Sequence, residues 1–275
     1  MRKTENNAKH CCRLKTFPDG SWEIMAASRN VFLEDGFELA VDFPTHHFRD
    51  AAKMVDSLSC DTDRARRRAA ARVHDYAMCN DFKYFVTLTL NKEKIDRYDV
   101  KKVVQTMNRW LDNRVRRNGL KYVLVPELHA DGAVHFHGFF NDALCAVDSG
   151  TISCSGDKKP HRPKNLDEKL KWLSDGGHIV YNLPDWTYGF TTAIELYGSY
   201  AASIGYVCKY IRKQSEKIGG RWVYCGGDLK KPVVSYPDIS LRDVEKWPGA
   251  YRFTVDAAGL QFVVCRGGGS DDNNV

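Results

Sequence analysis

The sequence lacks the long apolar runs and the paired cysteines that define several classes of protein. No run of about 18 apolar residues is present, and the opening MRKTENNAKHCC has no hydrophobic signal core. The nine cysteines are an odd number without a C-x-x-C pair, which argues against a disulfide framework or a zinc ribbon. We therefore expect an intracellular protein with reduced thiols that is neither secreted nor bound to a membrane.

A phosphate-binding loop of the form G-x-x-x-x-G-K-[ST] is also absent. The sequence thus has no signal for an ATP-driven domain, and we expect no nucleotide cofactor. Its 275 residues suffice for one large domain or two small ones. The net charge of +6 fits a polyanionic partner without requiring one.

One predicted hairpin carries the densest group of metal-ligating side chains. Two alternating runs within residues 122–140 flank the loop 130–132, and a three-residue loop with a left-handed glycine is a common hairpin connection. In that register Glu127 lies opposite His135, and His137 shares their face because side chains alternate. A two-residue loop would shift the register by one and place Glu127 on the other face.

Two imidazoles and one carboxylate on one face suit a divalent metal with open positions. Mn, Zn, Fe and Mg are the candidate ions for Glu127, His135 and His137. The alternative is a pair of surface histidines on a half-polar strand. His129 points to the same face and is a candidate fourth ligand, which would replace Glu127 if the register were shifted.

A strand and a helix before the hairpin indicate the surrounding fold. YFVTLTL, residues 84–90, alternates so that Phe85, Thr87 and Thr89 share one face. Residues 99–117 follow as an amphipathic helix. A strand, a helix and two antiparallel strands form half of a ferredoxin-like sheet. We therefore predict an α+β fold, with a central antiparallel sheet and helices packed on it.

The remaining segments are predicted as additions to a central domain of residues 61–232. Residues 142–184 read as an insertion with a short helix and a small strand. Residues 1–60 form an N-terminal extension of unknown role, and residues 233–275 form a C-terminal extension that ends in a disordered tail. The expected strands of the two extensions are WEIMAAS, FELAVDF and YRFTVDAAGLQFVV.

The stretch 61–80 predicts a helix with a basic stripe. It is rich in helix formers and has acids in its first turn. Arginines recur at three- and four-residue spacing, which places them along one face. A solvated helix and a helix that follows DNA phosphates both fit this pattern. The arginines are Arg64, Arg67, Arg68 and Arg72.

A second predicted helix, residues 198–214, carries two tyrosines and a lysine on one face. Tyr206 and Tyr210 are four residues apart, with Lys209 at the third position after Tyr206. By itself this pattern favours an amphipathic helix that uses tyrosines as half-buried anchors.

The hairpin and the tyrosine helix together indicate one chemistry. A phenol has a pKa of about 10 and is a weak nucleophile near neutral pH unless its anion is stabilised. Lys209 can stabilise the anion, and a metal held by the hairpin can make a phosphate more electrophilic. Attack of a tyrosine on a DNA phosphodiester needs both, and it leaves a phosphotyrosine and a free 3′ hydroxyl.

These motifs resemble the His-hydrophobe-His (HUH) endonuclease domain of rolling-circle replication initiators, especially those of small single-stranded DNA phages of the microvirus and filamentous kinds. The resemblance covers residues 81–232, with FVTLTL, PELHADGAVHFHG, YVCKY and GRWVYCGG in the family's order. It implies a nuclease with a Mg or Mn site, two nucleophilic tyrosines and an assisting lysine. The implied residues are Glu127, His135 and His137 for the metal, Tyr206 as nicking nucleophile, Tyr210 as second nucleophile, and Lys209.

The resemblance also implies partners. The expected substrate is single-stranded DNA at a replication origin, in the cytoplasm of a bacterial host. Host helicase and polymerase are expected because the chain has no ATP-driven domain. Two alternatives stay open: a non-catalytic DNA-binding accessory of a relaxosome, and a relaxase or transposase of the same superfamily. Candidate platforms for base stacking are Trp110, Trp172, Trp186 and Trp222, although each is also typical of a core.

Overall fold

The structure is a computed structural model that describes residues 9–33, 61–154, 156, 159–196, 200–255 and 259–268. The described residues form fourteen strands and five helices. In chain order the strands are β1 (Lys9–His10), β2 (Cys12–Thr16), β3 (Trp22–Ala27), β4 (Phe32–Leu33), β5 (Tyr84–Leu90), β6 (Tyr122–Leu128), β7 (Val134–Phe140), β8 (Val147–Ser153), β9 (His178–Asn182), β10 (Gly189–Glu195), β11 (Tyr224–Gly226), β12 (Val233–Ser235), β13 (Tyr251–Val255) and β14 (Leu260–Gly267). The helices are α1 (Asp61–Cys79), α2 (Val100–Asn118), α3 (Leu166–Ser174), α4 (Tyr200–Lys213) and α5 (Leu241–Val244).

The chain divides into two compact units. One unit comprises residues 80–229, and the other comprises the described residues up to Cys79 together with those from Lys230 onward. The domain limits 61–232 stay a prediction. The compact units differ from those limits by grouping α1 with the terminal segments.

The unit of residues 80–229 is built on a seven-stranded sheet. Its order is β11, β6, β7, β5, β10, β9, β8, and each pairing is antiparallel. β7 lies between β5 and β6, so β5, α2, β6 and β7 form the predicted half of a ferredoxin-like arrangement. The α+β class is confirmed. β8 and β9, from the segment expected to be an insertion, extend the sheet at its far edge.

α2 forms where its sequence provides both caps. The Asp99 side chain accepts a hydrogen bond from the backbone N–H of Lys102, and Gly119 ends the helix with a φ of 70°. The apolar face of α2 buries Met107 and Leu111 against the sheet. This packing covers one face of the sheet and leaves the opposite face for α4 and the candidate site.

A five-stranded antiparallel sheet organises the other unit, in the order β12, β2, β3, β14, β13. WEIMAAS forms β3 as predicted, whereas FELAVDF lies outside the described residues. YRFTVDAAGLQFVV was expected as one strand and instead provides two, because β13 and β14 pair with each other and Val255 lies opposite Leu260. The predicted tail begins too early, since Arg266 still belongs to β14 and pairs with Glu23.

Two findings bear on the expectations drawn from composition. The eight cysteines in the described part of the chain are free thiols. Among the described residues, no helix combines the length and the apolar character needed to cross a membrane.

Candidate metal and nucleophile site

The hairpin of β6 and β7 has the predicted register. Glu127 lies opposite His135, and the backbone N–H of His129 donates to the carbonyl of Ala133 across the loop, at 2.8 Å. Gly132 has a φ of 86°, which glycine adopts without strain. The three-residue loop thus places the carboxylate and both histidines of the motif on one face, as the sequence predicted.

Two threonines of β5 hold the imidazole rings. The Thr87 hydroxyl lies 3.1 Å from His137 Nδ1, and the Thr89 hydroxyl lies 3.3 Å from His135 Nδ1. Each threonine is directly opposite its histidine in the sheet. Because a hydrogen bond to one ring nitrogen orients the other, these contacts direct the Nε2 atoms away from β5. The sequence placed the threonines on this face but did not identify this role.

The third element of the cluster is Glu127. Its Oε2 atom lies 3.1 Å from His137 Nε2. Two donors that are each about 2.1 Å from one ion, at right angles, lie about 3.0 Å apart, so this pair has the spacing of neighbouring ligands of Mg or Mn. Among the described residues, no group of three His, Cys, Asp or Glu side chains is already gathered at such a spacing. His135 would therefore join the pair after a side-chain rotation, and the donor set fits a divalent ion on that condition.

Burial keeps the site histidines neutral. Burial, together with the neighbouring His135 and Lys213, lowers the pKa of His137 to about 4. Burial also lowers the pKa of His135. Neutral imidazole is the form that binds a metal, so both rings are ready to act as ligands near pH 7. Burial raises the pKa of Glu127, and the charge of Lys213 opposes that rise.

His129 remains a candidate fourth group. Its ring stacks on that of His135, with the centroids 5.2 Å apart. Its Nδ1 atom also lies 3.3 Å from a carboxylate oxygen of Asp131. His129 thus lies beside the cluster on the expected face.

α4 brings both tyrosines to the hairpin. The ring of Tyr210 stacks on the ring of His137, with the centroids 4.2 Å apart and the planes 4° from parallel. The Tyr210 hydroxyl donates to the Tyr206 hydroxyl at 2.6 Å. Tyr210 is 7% exposed and Tyr206 is 48% exposed. The two phenols therefore have different surroundings: Tyr206 faces solvent, and Tyr210 lies between it and the metal donors.

Two lysines of α4 accompany the tyrosines. The Lys209 ammonium lies 6.0 Å from the centroid of the Tyr206 ring, and the Lys213 ammonium lies 5.7 Å from that of Tyr210. The sequence analysis identified Lys209 alone. The signal for Lys213 was present, since the spacing Tyr-x-x-Lys occurs twice in YVCKYIRK.

Other candidate residues lie away from this cluster. The arginine stripe is on α1, in the other compact unit, with Arg68 and Arg72 exposed and the side chain of Arg64 outside the described residues. Three of the tryptophans proposed for base stacking are buried and belong to cores. These are Trp110, Trp186 and Trp222, which are 6%, 3% and 7% exposed.

Comparison with known proteins connects this site to replication. Residues 83–215 match the family model described as replication-associated protein ORF2. The matched segment contains β5, the hairpin and α4, and therefore every residue of the cluster. No curated protein and no solved structure matched the chain. The site-bearing segment is thus similar to the replication-associated proteins of this family, which is consistent with a replication initiator and with a nuclease-type activity.

Proposed function

We propose that this protein initiates DNA replication by cutting one strand at the origin, with a tyrosine as the nucleophile. The contact between α4 and the hairpin carries this proposal. Tyr210 stacks on His137 at 4.2 Å and donates a hydrogen bond to Tyr206. Two phenols are thereby held against a carboxylate and two neutral imidazoles, which is the arrangement that a metal-assisted attack on phosphorus requires.

The reaction is a transesterification. The Tyr206 hydroxyl oxygen attacks the phosphorus, and a new P–O bond to the tyrosine forms as the bond to the 3′ oxygen breaks. The phenol loses its proton to solvent, and the departing 3′ oxygen gains one to become a hydroxyl. The 5′ phosphate stays on the protein as a phosphotyrosine. Because the ester bond is conserved, a later attack by a 3′ hydroxyl can rejoin the strand without ATP.

Each residue of the site has a proposed part. Glu127, His135 and His137 would hold a Mg or Mn ion, which supplies charge to the phosphate oxygens when it is bound. Thr87 and Thr89 fix the imidazole rings. The lysine beside Tyr206, Lys209, stabilises the phenolate as it forms.

The second tyrosine gives the protein a second transfer. While Tyr206 carries the 5′ end of the displaced strand, Tyr210 can attack the regenerated origin. The 3′ hydroxyl produced there then attacks the first phosphotyrosine and closes the circle. Single-stranded origin DNA is the proposed substrate, and the host would supply the helicase and the polymerase.

The test is an adduct assay. Labelled single-stranded DNA from the origin region of the same genome is incubated with the protein and Mn or Mg, and it is then resolved on a denaturing gel. We expect a metal-dependent covalent adduct, weakened by Tyr206→Phe or Tyr210→Phe and abolished by the double substitution. Tyr98→Phe is the matched control, because Tyr98 is 53% exposed and lies outside α4.

Other outcomes identify the alternatives. DNA retarded on a native gel without an adduct under any metal would contradict the nuclease and favour a binding accessory. An adduct that persists in the double variant would contradict the assignment of the tyrosines. A relaxase or transposase would form the adduct only with DNA from a transfer origin or a transposon end.

A further inference from the structure

The row of side chains that contains the metal donors continues beyond them onto β10. Glu127 lies opposite His135, His135 opposite Thr89, and Thr89 opposite Phe190. Directly opposed residues of an antiparallel sheet share a face. Phe190 is therefore on the same face of the sheet as the donors, two strands away from His135.

Phe190 is 67% exposed, although β10 is an inner strand of the sheet with β5 and β9 as neighbours. Phenylalanines on the opposite face behave differently, since Phe136 and Phe140 are 0% and 1% exposed. Its neighbour across the row, Thr89, and the next residue on its own face, Thr192, have small side chains. The phenyl ring thus stands on an open part of the sheet beside the candidate site.

The spacing suits the substrate of that site. Strands in a sheet lie about 4.8 Å apart, so Phe190 is about 10 Å from His135 across the sheet. A phosphate that reacts at Tyr206 and the hairpin donors leaves the next nucleotides within reach of this ring. A flat aromatic ring stacks on any base, whatever the sequence.

Positive charge lies on both sides of this path. Lys209 and Lys213 accompany the tyrosines on α4. At the end of the sheet where the row lies, the Lys94 ammonium donates to the carbonyl of Thr187 at 2.8 Å, and Arg97 donates to Asp131 in the hairpin loop at 2.7 Å. Such cations favour the phosphates of a bound single strand.

We propose that Phe190 is a stacking platform for a base next to the reacting phosphate of single-stranded DNA. This inference rests on the proposed function. One phenyl ring matches the area of one base, whereas a protein partner buries about 800 Å² on each side. The bound strand runs from the tyrosines of α4 over His135 and Thr89 to Phe190, and it is held there independently of sequence.

Affinity for an oligothymidylate, measured by fluorescence anisotropy at fixed salt, tests the platform. Phe190→Ala and Phe190→Leu should weaken binding by about 10- to 100-fold, because a base loses its aromatic partner. Phe190→Tyr keeps the ring and should bind as the wild type does. Leu166→Ala is the matched control, since Leu166 is also 67% exposed and lies on α3.

Crosslinking locates the contact. 5-Iodouracil is moved one nucleotide at a time along an origin-region oligonucleotide, and the crosslinked residue is mapped after irradiation. We expect Phe190 to be crosslinked from a position close to the cleaved bond. Unchanged affinity in Phe190→Ala, or crosslinks that map elsewhere on the protein, would overturn the platform.

The stacking inference and the proposed function fail separately. If the wild type forms the adduct and Phe190→Ala binds DNA equally well, the platform is refuted and the nuclease stands. If binding and crosslinking depend on Phe190 but no metal produces an adduct, the platform stands and the chemistry is refuted. At saturating DNA, Phe190→Ala should form the adduct at the wild-type rate, because the ring binds substrate and does not take part in bond formation.

Discussion

The two faces of the seven-stranded sheet are made by the same strands and differ in every other respect. One face packs against α2, and its side chains Val86, Leu88 and Phe136 are fully buried. On the other face, Thr89 and His135 are partly exposed, and polar contacts connect β5 to β7. Neighbouring residues along one strand therefore belong to the core and to the candidate site in turn.

This contrast shows how a polar site can be held rigidly. The site face is rich in groups that lose hydration on burial, such as His137 and the hydroxyl of Tyr210. The apolar face supplies the burial that stabilises the sheet. Because the strand backbones are shared, packing on one face positions the imidazoles on the other. The predictions below change one face at a time, from the largest expected effect to the smallest.

The double substitution Tyr206→Phe and Tyr210→Phe should remove all adduct formation while the free energy of unfolding changes little. Both rings remain, so their contacts with Phe85 and His137 are preserved, and only the nucleophilic oxygens are lost. The adduct gel and urea unfolding measure the two quantities. A large loss of stability without loss of adduct would show that the tyrosines are anchors and not nucleophiles.

The core face should respond in the opposite way. Phe136→Ala should lower the free energy of unfolding by about 3–5 kcal/mol, because it opens a cavity in the core. Phe190→Ala is its counterpart on the site face and should change stability by less than about 0.5 kcal/mol. Urea unfolding of both variants checks the contrast. Equal effects would mean that the ring of Phe190 is packed in solution.

A smaller effect is expected where a threonine orients a ligand. Thr87→Val keeps the shape of the side chain but removes its hydrogen bond to His137, and it should weaken Mn binding by about 10- to 100-fold. Calorimetric titration with Mn measures this affinity directly. Thr192→Val is the control, because Thr192 lies opposite Thr87 on the same face. Equal affinities in the two variants would remove the orienting role of Thr87.

The smallest effect should come from the two exposed lysines. In a Tyr210→Phe background, Lys209→Ala should slow adduct formation by about 2- to 5-fold, which corresponds to an exposed charge interaction. In a Tyr206→Phe background, Lys213→Ala should have the same effect on Tyr210. The crossed pairs should be nearly neutral, and rates from timed gels test this. If either lysine affected both tyrosines equally, the pairing of one lysine with each tyrosine would be wrong.

Several features followed from local rules that the sequence states directly. The loop 130–132 set the hairpin register, because a three-residue connection with glycine allows only one pairing of Glu127 with His135. Alternation along β5 assigned Thr87 and Thr89 to the site face. Helical spacing placed Tyr206 and Tyr210 together. Each of these depends on residues that are close in the chain.

Other features depended on contacts between distant segments, and sequence patterns did not predict them. β8 was missed because VDSGTIS has no apolar alternation and is paired through its backbone with β9. The burial of Trp110 and Trp186 arises from their contact with each other, at 5.0 Å between ring centroids. The exposure of Phe190 likewise reflects which elements cover each face.

The sequence by itself determined the α+β class, the three metal donors as a set and the paired tyrosines, because these follow from the periodicity of strands and helices. Only the tertiary structure decided that Tyr210 stacks on His137, that Tyr206 faces solvent, and that two threonines hold the imidazoles. Those contacts join α4, β5 and β7, and their geometry is fixed by packing across the sheet.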